Sequence, residues 1–402
     1  MFKSLNFKVI LFGFIFTFFS SFGQSFFLGL FNSSIRDALS ITHGQFGSIY
    51  ASATLLSSFI LVWIGKKIDD VNILKFSSFV IILLATSCFI FSKITSVIFL
   101  FFAIFLMRLS GQGLMSHTAT TTISRYFDRS RGKALSTTWL GLSLAEFTLP
   151  LFIVFLLNII EWRNIWISIS IIVILILPLV SFFLVRNVNL ESREVSSEEK
   201  KIEKEIKQWK RIEVLKDYRF YIICINMLAM PWIATGTFVY QSYISTSKDW
   251  GPYIIAQSFM VYSVLSVITL FFSGFLIDKF SSRKLLIYMN IPLLLSVIVL
   301  FFFDTPITAF IFLGLVGISN GFANILGSST WAELYGVKYL GSIKALTTAL
   351  MVFATAFGTA LFGYLIDIGF TVGDIAVVSG TYIFISLILL FLVRKKLNPV
   401  II

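Results

Sequence analysis

The chain has 402 residues, of which 57% are apolar and only 13% charged, and 46 of them are phenylalanine. A soluble domain carries roughly 25% charged residues, so this composition excludes a soluble globular enzyme, a disordered chain and a collagen-like fibre. What remains is a polytopic membrane protein, whose net charge of +12 has to be explained by where the basic residues fall.

Twelve apolar runs approach or exceed the ~20 residues that cross a bilayer as a helix. They fall at 8–31, 45–64, 73–92, 97–124, 134–157, 164–185, 219–245, 253–277, 284–303, 306–332, 343–366 and 374–393. The runs are continuous rather than alternating, which predicts helices and not a barrel. With the N-terminus cytoplasmic, 27 of the 32 Lys and Arg residues lie on the cytoplasmic side. Arg36, Lys93, Arg163 and Lys248 lie outside, and Arg108 lies within a span. This asymmetry predicts a multi-pass protein of the plasma (inner) membrane with both termini cytoplasmic. It accounts for the basic charge without a nucleic-acid partner. One alternative is a cleaved signal peptide, with Lys3 and Lys8 ahead of the first run and Ser21-Phe22-Gly23 behind it; cleavage would leave an odd number of spans.

Along the chain, the first run carries Gln24, and the second ends in Gly65-Lys-Lys-Ile-Asp69. The fourth carries Arg108, Gln112 and His117, and the fifth carries Glu146. An intramembrane charge is costly and marks function by default. On a regular helix Gln112 shares the face of Arg108 and His117 lies opposite, so His117 reads as a packed, hydrogen-bonded histidine or, alternatively, a proton relay. Residues 187–217 are polar, with eight basic and eight acidic residues. Ile202, Ile206, Trp209 and Leu215 recur there at helical spacing, which predicts an amphipathic helix at the cytoplasmic surface. Thr235 and Thr237 follow in the seventh run, Gly274-Phe-Leu-Ile-Asp278 and Arg283 after the eighth, and Asn320, Asn324 and Glu333 in the tenth. Glu333 lies near the cytoplasmic end of its run and reads as a gate or cap residue. Asp304, Asp367 and Asp374 fall in outside loops. Cys88 and Cys224 sit in apolar runs and build no disulfide framework. No metal-ligand spacing, phosphate loop or nucleophile triad is apparent, so no metal, cofactor or enzymatic activity is expected.

The two halves repeat each other. Gly65–Asp69 matches Gly274–Asp278 at an offset of 209, Gly111-Gln-Gly113 matches Ser319-Asn-Gly321 at 208, and Lys133-Ala-Leu-Ser-Thr137 matches Lys344-Ala-Leu-Thr-Thr348 at 211. Six spans per half give both copies one membrane orientation, the parallel repeat of a two-bundle transporter. The expected division is an N-terminal six-helix bundle at 1–186, a linker at 187–217 and a C-terminal bundle at 218–402.

These motifs resemble the major facilitator superfamily over essentially the whole chain. Its loop motif, Gly-x-x-x-Asp followed by basic residues, resembles Gly65–Asp69 and, more fully, Gly274–Asp278 with Arg283-Lys284. The resemblance implies an all-α membrane protein of twelve helices in two six-helix bundles. It also implies a cytoplasmic latch at Gly65, Asp69, Gly274, Asp278 and Arg283. Arg108-Leu-Ser-Gly-Gln-Gly113 resembles an Arg-x-x-Gly-x-Gly element of the fourth helix. Arg125 to Leu135 resembles the stretch before the fifth helix in the monocarboxylate and oxalate–formate exchanger branch. That branch commonly carries a charge in its first or eighth helix, and here both runs lack one. In this fold spans 1, 4, 7 and 10 line a central cavity, which makes Gln24, Arg108, Gln112, Thr235, Thr237, Asn320 and Asn324 candidate substrate residues. Interhelical hydrogen bonding is the competing reading for the amides and threonines.

The reading is a secondary active transporter of a small solute, an organic anion coupled to protons, acting as a monomer in the lipid bilayer. Two alternatives stand beside it: an exporter of an apolar or drug-like compound, and a non-transporting receptor or scaffold of the same fold. Arg108 and Glu146 lie eleven and twelve residues into consecutive antiparallel spans, ~16–18 Å deep. They are expected to pair, either as a static brace or as a switch in which an anion takes Arg108 and frees Glu146 to accept a proton.

Overall fold

The structure, a computed structural model, describes residues 2–127, 131–188 and 207–400. Among these, twelve helices are long and apolar enough to cross a membrane. Spans 1 to 6 are Asn6–Gly23, His43–Asp69, Ile73–Ser92, Val97–Tyr126, Gly132–Leu157 and Trp162–Val185. Spans 7 to 12 are Tyr218–Val239, Pro252–Ile277, Ser282–Phe302, Pro306–Tyr335, Leu340–Asp367 and Val372–Lys396. The starts are chemically marked. Thr42 and Gln45 form a capping box at span 2, Thr371 and Asp374 another at span 12, and Ser96 caps span 4. Pro252 and Pro306 open spans 8 and 10, where a missing N–H costs nothing.

The chain forms two compact units. Unit 1 holds residues 1–193 with two short segments, 238–243 and 359–367; unit 2 holds the remainder. Those two segments are the terminal pieces of spans 7 and 11 and the turn after span 7, expected with the C-terminal bundle; their contacts place them in unit 1.

The sequence repeat is also a repeat of packing. Span 2 packs on span 4 and span 3 on span 6, and in unit 2 span 8 packs on span 10 and span 9 on span 12. In unit 1 the absent side chain of Gly141, on span 5, leaves room for the Phe14 carbonyl of span 1. In unit 2 Gly358, on span 11, does the same for the Trp232 carbonyl of span 7. Small residues let helix backbones touch where lipid supplies no hydrophobic drive for association.

Two spans depart from the regular helices expected. The first run, expected continuous over 8–31, breaks. It tightens to a 3-10 turn at Ser21–Gly23, Gln24 is extended (ψ 154°), and a short helix restarts at Ser25–Leu28. The fourth widens to a π-helix over Arg108–Met115. The two irregularities meet. A side-chain carbon on Gly111 would lie 2.8 Å from Gly23 Cα, and one on Gly23 would lie 2.5 Å from the Gln112 nitrogen. Only glycine at both positions permits this crossing. Of the linker, Ile202 and Ile206 lie outside the described residues. Its last part forms only a short helix, Arg211–Val214, and packs within unit 2, with Trp209 N donating to Tyr335 O (3.0 Å).

Candidate functional site

Where span 1 breaks, backbone carbonyls lose their helical partners. One is Gly23 O, and Arg108 Nη1 donates to it at 3.0 Å. The same nitrogen lies 3.4 Å from Ser25 Oγ. The guanidinium carbon sits 5.3 Å from the centroid of the Tyr50 ring, and Tyr50 Oη donates to Ser25 Oγ (3.1 Å). Arg108 is only 2% exposed. Its charge is thus met by the negative carbonyl end of a helix segment and by the face of an aromatic ring. Among the described residues no carboxylate lies within 4 Å, Nε is buried without a partner, and Nη2 makes no hydrogen bond. The arrangement is a desolvated cation with donors to spare, able to grip a planar anion.

Glu146 is also buried, but it forms no ion pair or hydrogen bond among the described residues. The expected pairing with Arg108 is absent. The depth estimate assumed straight helices, whereas span 1 breaks beside Arg108 and the arginine donates to Gly23 O there. Span 5 still packs against the Ser21–Gly23 turn, so Glu146 is carried by the helix that borders the break.

Gln24 and Gln112 are half-buried, and their side chains make no hydrogen bond among the described residues. Both belong to the irregular backbone beside Arg108, Gln24 to the break in span 1 and Gln112 to the π-helix. The other candidates belong to unit 2. Thr235 and Thr237 are buried. Asn320 donates to Ser266 Oγ on span 8 (2.9 Å), an interhelical bond of the competing kind. Asn324, one turn on, is exposed. Sequence reasoning missed Tyr50 and Ser25, because a tyrosine and a serine in apolar runs carry no signal until the chain folds.

At the expected latch, Asp69 pairs with Arg125 of span 4 at 3.0 Å. Gly65 lies against the His117 ring, and His117 Nε2 is 3.0 Å from Gly65 O, so His117 is hydrogen-bonded in packing. In unit 2 the side chain of Asp278 lies outside the described residues. Gly274 has open space around it. Arg283 Nε pairs with Glu333 Oε1 at 2.9 Å, while Glu333 Oε2 accepts from Ser282 N (3.0 Å), Ser282 Oγ and Arg283 N. Glu333 is therefore a helix cap as well as a partner of Arg283. Among the described residues each loop shows one ion pair, with the acid and base exchanged between elements.

Among the described residues no cluster of three or more His, Cys, Asp or Glu side chains could hold a metal ion. The Major Facilitator Superfamily profile matches residues 13–261 and 221–401. The fold is similar to that of a bacterial homolog of the human lysosomal transporter Spinster, in inward-facing occupied form, with a TM-score of 0.73 at 13% identity over 98% of this chain and 97% of that one. It is also similar to the nucleoside transporter NupG, with a TM-score of 0.69 at 14% identity over 98% of each chain. At such identities the likeness is one of fold. No curated protein sequence matches the chain.

Proposed function

The chain belongs to the major facilitator superfamily of small-solute membrane transporters, and we propose that it carries an organic anion, monocarboxylate-like, together with protons by alternating access. The observation that carries this reading is Arg108: a buried cation that, among the described residues, has no carboxylate partner and leaves Nε and Nη2 unbound. A carboxylate arriving there takes two parallel N–H donors while Nη1 stays on Gly23 O. Gln24 and Gln112 supply neutral amides from the same irregular backbone, and Tyr50 holds the guanidinium from its ring face. On this reading Thr235, Thr237, Asn320 and Asn324 are the substrate residues of unit 2. Glu146, unpaired and buried, is the proton site: it takes a proton when the anion arrives and releases it when the anion leaves. The monocarboxylate class rests on the Arg125–Leu135 stretch. The asymmetry of basic residues supports the inner membrane with cytoplasmic termini, and a monomer suffices because no site residue has to come from a second copy.

Uptake into proteoliposomes tests it. Labelled monocarboxylates should accumulate under an inward proton gradient and exchange without one. Uptake of uncharged nucleosides with no uptake of any carboxylate would overturn the anion reading.

A further inference from the structure

We propose that Asn226 and Asn290 hold a small monovalent cation, of sodium size, in the core of unit 2 where spans 7, 9 and 12 meet.

Span 9 breaks at Asn290. One helix ends at Met289 and the next begins at Ile291, because Pro292 has no N–H to give the Tyr288 carbonyl four residues back. Asn290 itself leaves the helical region (φ −102°, ψ 1°) and is fully buried. Much of the break is satisfied within the protein. Ser319 Oγ, on span 10, donates to Met289 O (2.7 Å), and Asn290 O accepts from Leu294 N (2.9 Å). Asn290 Nδ2 donates to Asn226 O on span 7 at 2.6 Å. Asn226 is fully buried too, and its Nδ2 donates to Ser386 Oγ on span 12 (3.3 Å). Tyr382 Oη, also from span 12, donates to Ile225 O (2.8 Å).

Two oxygens are left over. Asn226 Oδ1 and Asn290 Oδ1 are buried with no hydrogen-bond partner among the described residues. The network fixes both as oxygens. Turning the Asn290 amide over would set an oxygen against the Asn226 carbonyl. Ser386 spends its own hydrogen on Ile383 O (2.8 Å), so it takes a donor from Asn226 and not an acceptor. A carboxamide oxygen stranded in such a core is costly. The fold does not require it. In unit 1 the matching pair, spans 3 and 6, packs with Ser77 Oγ bonded to Ser181 Oγ (2.8 Å) and Ser170 Oγ donating to Ala85 O (2.7 Å). At any offset from 208 to 211 the counterpart of Asn290 is Phe79, Val80, Ile81 or Ile82, all apolar, and span 3 runs unbroken.

A cation meets both stranded oxygens at once. Amide and hydroxyl oxygens replace the hydration shell of an alkali ion, and these are neutral, which suits a single charge; a divalent ion takes carboxylates. The 2.6 Å contact between Asn290 and the Asn226 backbone keeps the two amides close, which favours a small ion. Water is the rival occupant. It would donate to both oxygens, but the neighbouring hydroxyl hydrogens are already placed on Ile383 O and Ile225 O and leave its own lone pairs unmet. No residue of the anion reading is a ligand here, so the two proposals stand or fall separately.

The test is thermal melting of the purified full-length protein in detergent, with sodium chloride replaced by choline chloride or potassium chloride at constant ionic strength. Sodium is expected to raise the apparent melting temperature by about 3–8 °C in a saturable way, as binding to the folded state alone does, and potassium much less. Asn290→Leu removes one stranded oxygen with little change of volume and should erase the sodium-dependent rise. Asn226→Asp gives up only the longest bond of the network and adds a charge, so it should lower the sodium concentration at half the rise about tenfold. Should Asn290→Leu yield no folded protein, the midpoint in Asn226→Asp decides. The absence of a sodium-specific rise, the result if water alone meets the two oxygens, would overturn the proposal. A rise of wild-type size in Asn290→Leu, or a wild-type midpoint in Asn226→Asp, would do the same.

Discussion

Replacing Arg108 by methionine separates a binding residue from a structural brace. Methionine keeps an unbranched apolar stem and removes the charge. The loss is one charge-assisted hydrogen bond to Gly23 O at 3.0 Å, worth ~1.5–3 kcal/mol, and the stacking on Tyr50, worth ~2 kcal/mol when desolvated. The gain is relief from burying a cation without a counter-charge, an effective penalty of several kcal/mol. The terms nearly cancel, leaving a change of about 0–2 kcal/mol in favour of the variant. Because no carboxylate among the described residues pairs with Arg108, its removal strands no buried anion there, which is what makes breaking a buried salt bridge so costly. The expected result is an apparent melting temperature in detergent equal to wild type or up to ~4 °C higher, with carboxylate uptake abolished. Thermal melting of purified protein and uptake in proteoliposomes read the two halves of the prediction. A melting temperature more than ~5 °C lower, with uptake retained, would refute the reasoning and make Arg108 a brace.

Other substitutions probe the remaining groups. Glu146→Gln should retain exchange of a carboxylate yet lose accumulation driven by a pH gradient; full proton-driven accumulation would remove Glu146 as the proton site. Arg108→Lys should raise the KM for a carboxylate roughly tenfold or more, since lysine cannot make the two parallel bonds, and an unchanged KM would count against bidentate binding. Glu333→Gln removes the ion pair to Arg283 and weakens three cap hydrogen bonds, so it should destabilise unit 2 by ~1–3 kcal/mol and lower the melting temperature. Asp69→Asn breaks an exposed pair worth less than ~1 kcal/mol, so it should slow transport while leaving the melting temperature within a degree or two of wild type.

The twelve spans were legible because lipid imposes one rule on each of them: an apolar run long enough to satisfy its own backbone. Predicted and observed helices differ by few residues wherever a helix is regular, as at 73–92 and Ile73–Ser92. The reading failed where the backbone is irregular. Nothing local in Ser21-Phe22-Gly23-Gln24 separates a helical glycine from one that ends a helix, because the decision is made by Gly111 crossing it. The π-helix at Arg108–Met115 was equally hidden, and a depth estimate on straight helices paired Arg108 with Glu146, a pair absent among the described residues. Asp367, read as a loop aspartate, caps span 2 across more than three hundred residues of sequence. Tertiary caps of that kind leave no periodic trace.

The repeat gives the break in span 1 a counterpart. Phe14 meets Gly141 as Trp232 meets Gly358, pairs 217 to 218 residues apart, a longer offset than the 211 of the motifs that open spans 5 and 11. Carried forward, that offset sets Gly23 and Gln24 opposite Tyr240 and Gln241, and span 7 indeed leaves its helix at Val239 and restarts at Gln241. Both first helices of the repeat therefore break at one equivalent point, with a glutamine just beyond it. What each half does with the break differs. In unit 1 the break lies against a π-helix and feeds a carbonyl to Arg108. At the offset of the fourth and tenth spans, 208, Arg108 corresponds to Val316, a buried apolar residue on a regular helix, so no charge is duplicated. The side chains that follow the second break, Tyr240 and Gln241, bond the backbone carbonyls of His43, Thr359, Phe26 and Phe238. One inherited helix break thus meets a buried arginine in the first half and neutral side chains bonded to carbonyls in the second, and the charged part of the candidate site belongs to unit 1 alone among the described residues.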